Sequence, residues 1–140
     1  MVSYWDTSAI VPLLVNEADS PLRTSQLLSA SGMVTWWGTR GEALSALCRR
    51  EREGSIDTNA FELALARLDA LSAQWSEVAA SDLLRGRSER LLRVHPLRAA
   101  DAWQLAAALL ATNEQTAGAS FHTGDLRLAE AAKKEGFLVC

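Results

Sequence analysis

Apolar residues fall along this chain in short runs that alternate with longer helical patterns. Residues 2–5 (VSYW) form an apolar run that stops at Asp6, as a short buried strand would. A helical apolar pattern follows from Ala9 to Val15. Ser20-Pro21 marks a second helix start, an N-cap with proline in the first turn, and that helix is predicted to reach about Ala30, with Gly32 as its stop. Residues 33–36 (MVTW) read as a second strand. Thr39 opens a helix to Glu53, stopped by Gly54, and Asp57 caps a longer one to about Ala73, with Phe61, Leu65 and Leu68 at helical spacing. Residues 75–79 are a third strand. Ser81 starts a helix to Val94 that Pro96 ends, and 98–111 is a strongly apolar helix. Residues 118–122 (GASFH) give a fourth strand, Asp125 to Glu135 a last helix, and 137–140 (FLVC) a final strand.

Strands this short, each followed by helix, build a mostly parallel central sheet covered on both faces, a three-layer α/β/α arrangement. Residues 1–140 then form a single domain, since no linker, repeat or low-complexity tract interrupts them. In such sheets ligands bind beyond the carboxyl ends of the strands. The polar residues just after each strand are therefore the ones to inspect.

Composition supports this picture and narrows it. Alanine and leucine fill 46 of the 140 positions while valine and isoleucine together fill 9, so helix dominates and the strands are few and short. With 49% apolar and 22% charged residues the chain has an ordinary globular composition. A net charge of −3 argues against a wholly basic coat but not against a local basic patch. Cys48 and Cys140 lie far apart and form no CxxC pair, which excludes a disulfide framework or zinc knuckle and fits a reducing, cytoplasmic setting. No leader pattern and no membrane-length apolar run is present.

Four acids follow the inferred strands or open the helices beside them. Asp6 ends strand one, Glu42 opens the helix after strand two, Asp101 opens the apolar helix, and Asp125 follows strand four. Each has a plain alternative. Asp6 and Asp125 fit helix N-caps, Thr39-x-x-Glu42 fits a capping box, and Asp101 is a cap if its helix starts at Ala102. Asp101 resists that alternative best, because a carboxylate between Leu97 and Leu105 on a helix apolar nearly all round is costly without a partner. Four carboxylates in one cleft would repel each other and titrate upward if bare. A divalent cation resolves that, and oxygen-only ligands point to Mg²⁺ or Mn²⁺.

The stretches YWDTSAI, RGEALSAL, LRAADAWQLAAAL and HTGDLRLAEAAKKEG, in this order and spacing, resemble the PIN-domain nucleases, and among them the VapC-type toxins of bacterial toxin–antitoxin pairs. The resemblance spans the whole chain. It implies a PIN-like parallel sheet of about five strands and an acidic site of Asp6, Glu42, Asp101 and Asp125 that holds one or two Mg²⁺ or Mn²⁺ ions. Thr7 or Ser8, and Thr123, match positions that support that site. The activity implied is endoribonucleolytic cleavage of RNA by a metal-activated water. The partners implied are a cognate antitoxin protein and a second copy in a homodimer. His122 and Gly124 depart from the family's usual residues, and Gly124 gives the loop before Asp125 more freedom.

Other residues carry weaker signals. Arginines cluster at 85–98 (Arg85, Arg87, Arg90, Arg93, Arg98) and at Arg40, Arg49, Arg50 and Arg52, either as solvated helix faces or as phosphate contacts. Trp5 and Trp103 are expected in the core. Of Trp36 and Trp37, one is expected to stay out of it, in a groove for RNA or antitoxin. His95 is expected in a loop and His122 in a core or hydrogen-bonded role, so a histidine-based triad has little support. Alternatives to the toxin are a PIN ribonuclease of RNA processing, a catalytically silent binding module, and a phosphotransfer enzyme with nucleophilic Asp6. The last wants a second Asp two residues on, where Ser8 stands.

Overall fold

The computed structural model describes residues 1–140. All five expected strands form, each two or three residues long: β1 (Ser3–Trp5), β2 (Val34–Trp36), β3 (Ser76–Val78), β4 (Ser120–His122) and β5 (Leu138–Val139). Every pairing is parallel, in the order β3-β2-β1-β4-β5. The helices are α1 (Thr7–Leu14), α2 (Ser20–Ser29), α3 (Thr39–Arg52), α4 (Thr58–Ser72), α5 (Asp82–Val94), α6 (Ala99–Ala111) and α7 (Leu126–Lys134). None is long and apolar enough to cross a membrane.

Side-chain alternation along β1 divides the core in two. Trp5 points to one face and packs with Ile10, Leu14, Leu47 and Leu68 from α1, α3 and α4. Tyr4 points to the other face and packs with Leu91, Leu105, Phe121 and Leu128, contributed by α5, α6, β4 and α7. Phe121 stacks on Tyr4 across the β1–β4 ladder, with ring centroids 5.2 Å apart. This is the three-layer α/β/α fold expected, with a sheet that is parallel throughout.

Helix boundaries differ from expectation in instructive ways. The cap before α2 is Asp19, while the Ser20 hydroxyl donates to the Val15 carbonyl and accepts from the Glu17 amide, which fastens the α1–α2 corner. Helix α3 has Gly38 at its N-cap, so Thr39 is already helical, and its hydroxyl accepts from the Trp36 amide. The Thr39-x-x-Glu42 capping box therefore does not form, and the Glu42 side chain is released for other contacts. Gly38 is required here by closeness: a Cβ would lie 2.3 Å from the Trp36 ring. Helix α6 starts at Ala99, not Ala102, which puts Asp101 in its first turn.

Trp103 is not a core residue. It is 39% exposed, because it lies on the face of α6 turned to the cleft, while its neighbours Ala102 and Gln104 are buried. Its indole leans on Trp36 instead, 5.6 Å between centroids at 48°. Trp5 is buried, Trp36 is buried, and Trp37 is 66% exposed. His95 ends α5 and is buried, with Nε2 2.6 Å from Glu135. It lies in the α5–α6 connector, as expected of a loop residue, and is buried there against Glu135.

Candidate active site

Strand order decides where the site lies. From β1 the chain moves outward to β2 and β3, then returns to the other side of β1 for β4 and β5. The order reverses between β1 and β4, which opens a crevice at their carboxyl ends. Trp5 pairs with His122 at the last rung of that ladder, so Asp6 and the segment Thr123–Asp125 leave the sheet side by side.

Asp6 sits at the bottom of this crevice and is 4% exposed. It caps α1 by accepting from the Ser8 amide. Its second oxygen accepts from the Ser8 hydroxyl at 3.0 Å and from the Thr123 hydroxyl. The Gly124 amide donates to Ser8 Oγ at 2.8 Å, and the Asp125 amide donates to Thr123 Oγ1 at 3.0 Å. The two strand ends are thus knitted together through hydroxyls. Gly124 is fixed by this network, and a Cβ there would meet Ser8 only at ordinary contact distance, so its extra freedom is not used. Asp125 caps α7 through the Leu128 amide, 3.0 Å. Capping and cleft placement therefore coexist at both Asp6 and Asp125.

Glu42 faces the same crevice from α3. Its Oε1 accepts from Gln104 Nε2 at 3.1 Å and from Trp36 Nε1 at 3.3 Å. Gln104 is buried, also donates to Thr7 Oγ1 at 3.2 Å, and accepts the Tyr4 hydroxyl at 2.5 Å. Sequence reasoning missed Gln104. A signal existed: it is the one amide in an otherwise apolar helix stretch, three residues after Asp101 and so on the same face. Arg23 was missed as well. It is 4% exposed, and its Nη2 donates to the Thr123 carbonyl at 2.9 Å while Nη1 reaches Cys140 O at 3.2 Å and Gln26 Oε1 at 3.0 Å. Arg23 braces the loop that carries Thr123 and Asp125. Nothing local in SPLRTSQLL distinguishes it from a surface arginine.

Asp6, Glu42, Asp101 and Asp125 all line one cleft of about 790 Å³. None of the four pairs with an arginine, lysine or histidine within salt-bridge distance. Their protonation reflects this. Burial pushes the Asp6 carboxyl from 3.8 up to about 6, against the hydrogen bonds from Thr123 and Ser8, and the Asp125 charge adds to the rise. Glu42 is raised by burial and by Asp6, and lowered in part by its hydrogen bonds. Asp101, half-buried, is raised by burial and by Asp125, against the backbone and guanidinium of Arg98 and the charge of Arg127. No three of these side chains are drawn together into a closed cation cage. The donor set still fits a small hard cation, because its oxygens come from four carboxylates with no cationic partner, and Mg²⁺ binds through one or two carboxylates with water completing its shell.

His122 stays outside the crevice. It is buried, stacks on Trp5 with centroids 4.1 Å apart, and lies 3.1 Å from Ser3 Oγ. Burial, with help from the Arg23 charge, lowers it from 6.5 to about 4, so it is neutral at pH 7. The arginine clusters are largely ion-paired: Arg40 to Asp69, Arg50 to Glu17, Arg85 to Asp82, Arg87 to Glu114 and Arg90 to Glu135. Arg49 is exposed and lines the cleft without a partner.

No protein-family model and no curated protein sequence matches the chain. Solved structures do. VapC20 of Mycobacterium tuberculosis, a sarcin-ricin loop cleaving toxin, is similar over 97% of this chain and 96% of its own, with a TM-score of 0.69 and 20% identity. PAE2754 from Pyrobaculum aerophilum is similar over 99% and 89%, with a TM-score of 0.69 and 16% identity. VapBC-1 from nontypeable Haemophilus influenzae is similar over 100% and 97%, with a TM-score of 0.60 and 17% identity. The fold implied by the resemblance to PIN-domain, VapC-type proteins is thus the fold this chain has.

Proposed function

We propose that this chain is a metal-dependent endoribonuclease of the PIN-domain, VapC type, acting as the toxin of a toxin–antitoxin pair. The observation that carries the reading is the set of four carboxylates without cationic partners, lining one cleft at the β1–β4 reversal. A fold that only needed helix caps has no use for Glu42 turned into that cleft on a buried glutamine. The likeness to VapC20, a toxin that cleaves the sarcin-ricin loop, supports RNA as the substrate, and the likeness to VapBC-1 supports a protein antitoxin.

Asp6, Glu42, Asp101 and Asp125 would hold Mg²⁺ or Mn²⁺. Such an ion supplies a more acidic bound water and charge stabilisation for the leaving oxygen. The chain's own contribution is arrangement. The Ser8 amide holds one oxygen of Asp6 and the Ser8 and Thr123 hydroxyls hold the other, so this carboxylate does not need to reorient during the reaction. Gln104 and Trp36 hold Glu42 toward the cleft from the opposite wall. Asp101 and Asp125 are half-buried, which leaves their side of the cleft open to a phosphodiester. Burial, with neighbouring carboxylates, raises the carboxyls of Asp6, Glu42 and Asp101, and a bound cation would offset that cost, which supports the reading.

Purified protein is expected to cut RNA in Mg²⁺ or Mn²⁺, to stop in chelator, and to lose cleavage in Asp6→Asn and Asp101→Asn. Full cleavage in chelator, or in both variants, would overturn the reading. Calorimetric titration with Mn²⁺ separates a silent module, which takes up no metal through the acids. Growth arrest on expression, relieved by a small neighbouring reading frame, separates the toxin from a ribonuclease of RNA processing. Sedimentation of the purified chain tests the homodimer.

A further inference from the structure

Two features flank the acidic cleft on different sides, and the proposed chemistry uses neither. On one side stands Trp37. Its backbone amide donates to the Val78 carbonyl at 2.9 Å, which anchors its main chain at the end of β2, and its indole is 66% exposed and lines the cleft. Trp103, also part-exposed, lines the same wall and rests on Trp36. Burying an indole is favourable, and this one is left exposed to solvent at the cleft.

On the other side a second hollow of about 550 Å³ adjoins the first, with Asp101 and Asp125 lining both. Its wall carries Arg98 and Arg127. Both guanidinium groups are close enough to Asp101 to act on its charge, yet neither forms an ion pair with any carboxylate. They differ in this from most arginines of the two clusters. An aromatic face, a line of acids and a pair of free arginines therefore succeed one another along one continuous groove. A single nucleic-acid strand presents the matching order, with a base to stack, a phosphodiester to cut and a further phosphate to hold.

We propose that this groove is a single-strand track, in which an unpaired base stacks on Trp37 and the phosphate on the far side of the acids is held by Arg98 and Arg127. The track rests on the nuclease reading for the identity of the strand, and it assigns residues which that reading leaves without a role. Arginine is the suitable cation at this place, because its planar fork matches two phosphate oxygens.

The test measures binding of a fluorescent eight-nucleotide oligouridylate by anisotropy, in Asp6→Asn protein with Mg²⁺. Trp37→Ala is expected to weaken binding about tenfold and Trp37→Phe to retain most of it, as for one stacked base. The double change Arg98→Gln, Arg127→Gln is expected to flatten the dependence of log affinity on log salt by about 0.7, the value for one phosphate of a single strand. Because all three side chains are exposed, circular dichroism should show the variants folded. No binding by the unsubstituted Asp6→Asn protein would overturn the track, and so would an unchanged salt slope. Unchanged affinity in Trp37→Ala would also overturn it and assign the indole to a protein interface. If the oligonucleotide binds through Trp37 but wild-type protein never cuts RNA, the track stands and the nuclease reading falls.

Discussion

Substituting Asp6 by asparagine is expected to stabilise the metal-free protein, and the pH at which it does so is fixed by the site. Asp6 is nearly fully buried, and its carboxyl is raised from 3.8 to about 6. An acid whose folded value is raised contributes stability that is complete below its unfolded value and is lost as pH climbs through the folded one. Each factor of ten in the ionisation constant corresponds to 1.36 kcal/mol, so holding Asp6 ionised above pH 6 costs about 3 kcal/mol. Asparagine keeps the cap on α1, since it is as good an N-cap as aspartate. The Ser8 and Thr123 hydroxyls can rotate to accept from its amide. In chelator at pH 8, Asp6→Asn should be more stable in urea by about 1–3 kcal/mol, or roughly 10 °C in Tm at the upper end. The advantage should shrink between pH 6 and pH 4, where wild-type Asp6 is protonated. Saturating Mn²⁺ should then stabilise wild type, by about 2.7 kcal/mol at a hundred times Kd, and stabilise the variant, which keeps three of the four carboxylates, less. An Asp6→Asn protein no more stable than wild type at pH 8 would refute the claim that the bare site is costly.

Two further perturbations probe the support of the site and the far end of the domain. Gln104→Leu removes the acceptor of the buried Tyr4 hydroxyl and a donor to Glu42, so a loss of about 1–3 kcal/mol is expected, with Tyr4→Phe recovering part of it. A double-mutant cycle checks this, and additivity within about 0.5 kcal/mol would count against the coupling. Glu135 is raised by burial, but hydrogen bonds from His95 and Arg90 and their charges outweigh that and hold it below its ordinary 4.5. Its contribution is present above pH 4.5 and lost as pH falls through the lower folded value. His95→Leu should cost about 1–3 kcal/mol at pH 7 and flatten the acid limb of the stability profile, measured by urea melts from pH 3 to 7.

Much of the fold was legible because strand and helix signals here are local. Four residues such as VSYW, ended by an aspartate, mark a strand edge by hydrophobicity alone, and the positions of Asp6 and Asp125 followed from that. Glu42 was ambiguous, since Thr39-x-x-Glu42 satisfies a local capping rule that the backbone did not adopt. Trp103 was misplaced because a helix apolar nearly all round gives no sign of which side faces an open cleft. Gln104 and Arg23 act through partners about a hundred residues away, Tyr4 and Thr123, which no window of sequence contains.

Local patterning along the chain set the alternation of short strands and helices, and with it the fold class and the strand-end acids. It did so because hydrophobic period and capping chemistry act over a few residues. The return of β4 to the side of β1, by contrast, is a property of the closed fold. That single placement brings Thr123 onto Asp6, opens the crevice, and leaves four carboxylates without cations in it. It also brings Arg127 to the hollow beside Asp101, while the pairing of β2 with β3 holds Trp37 at the opposite end. Contacts of that kind depend on how the whole chain closes, and their energies are felt only once water has been excluded from between them.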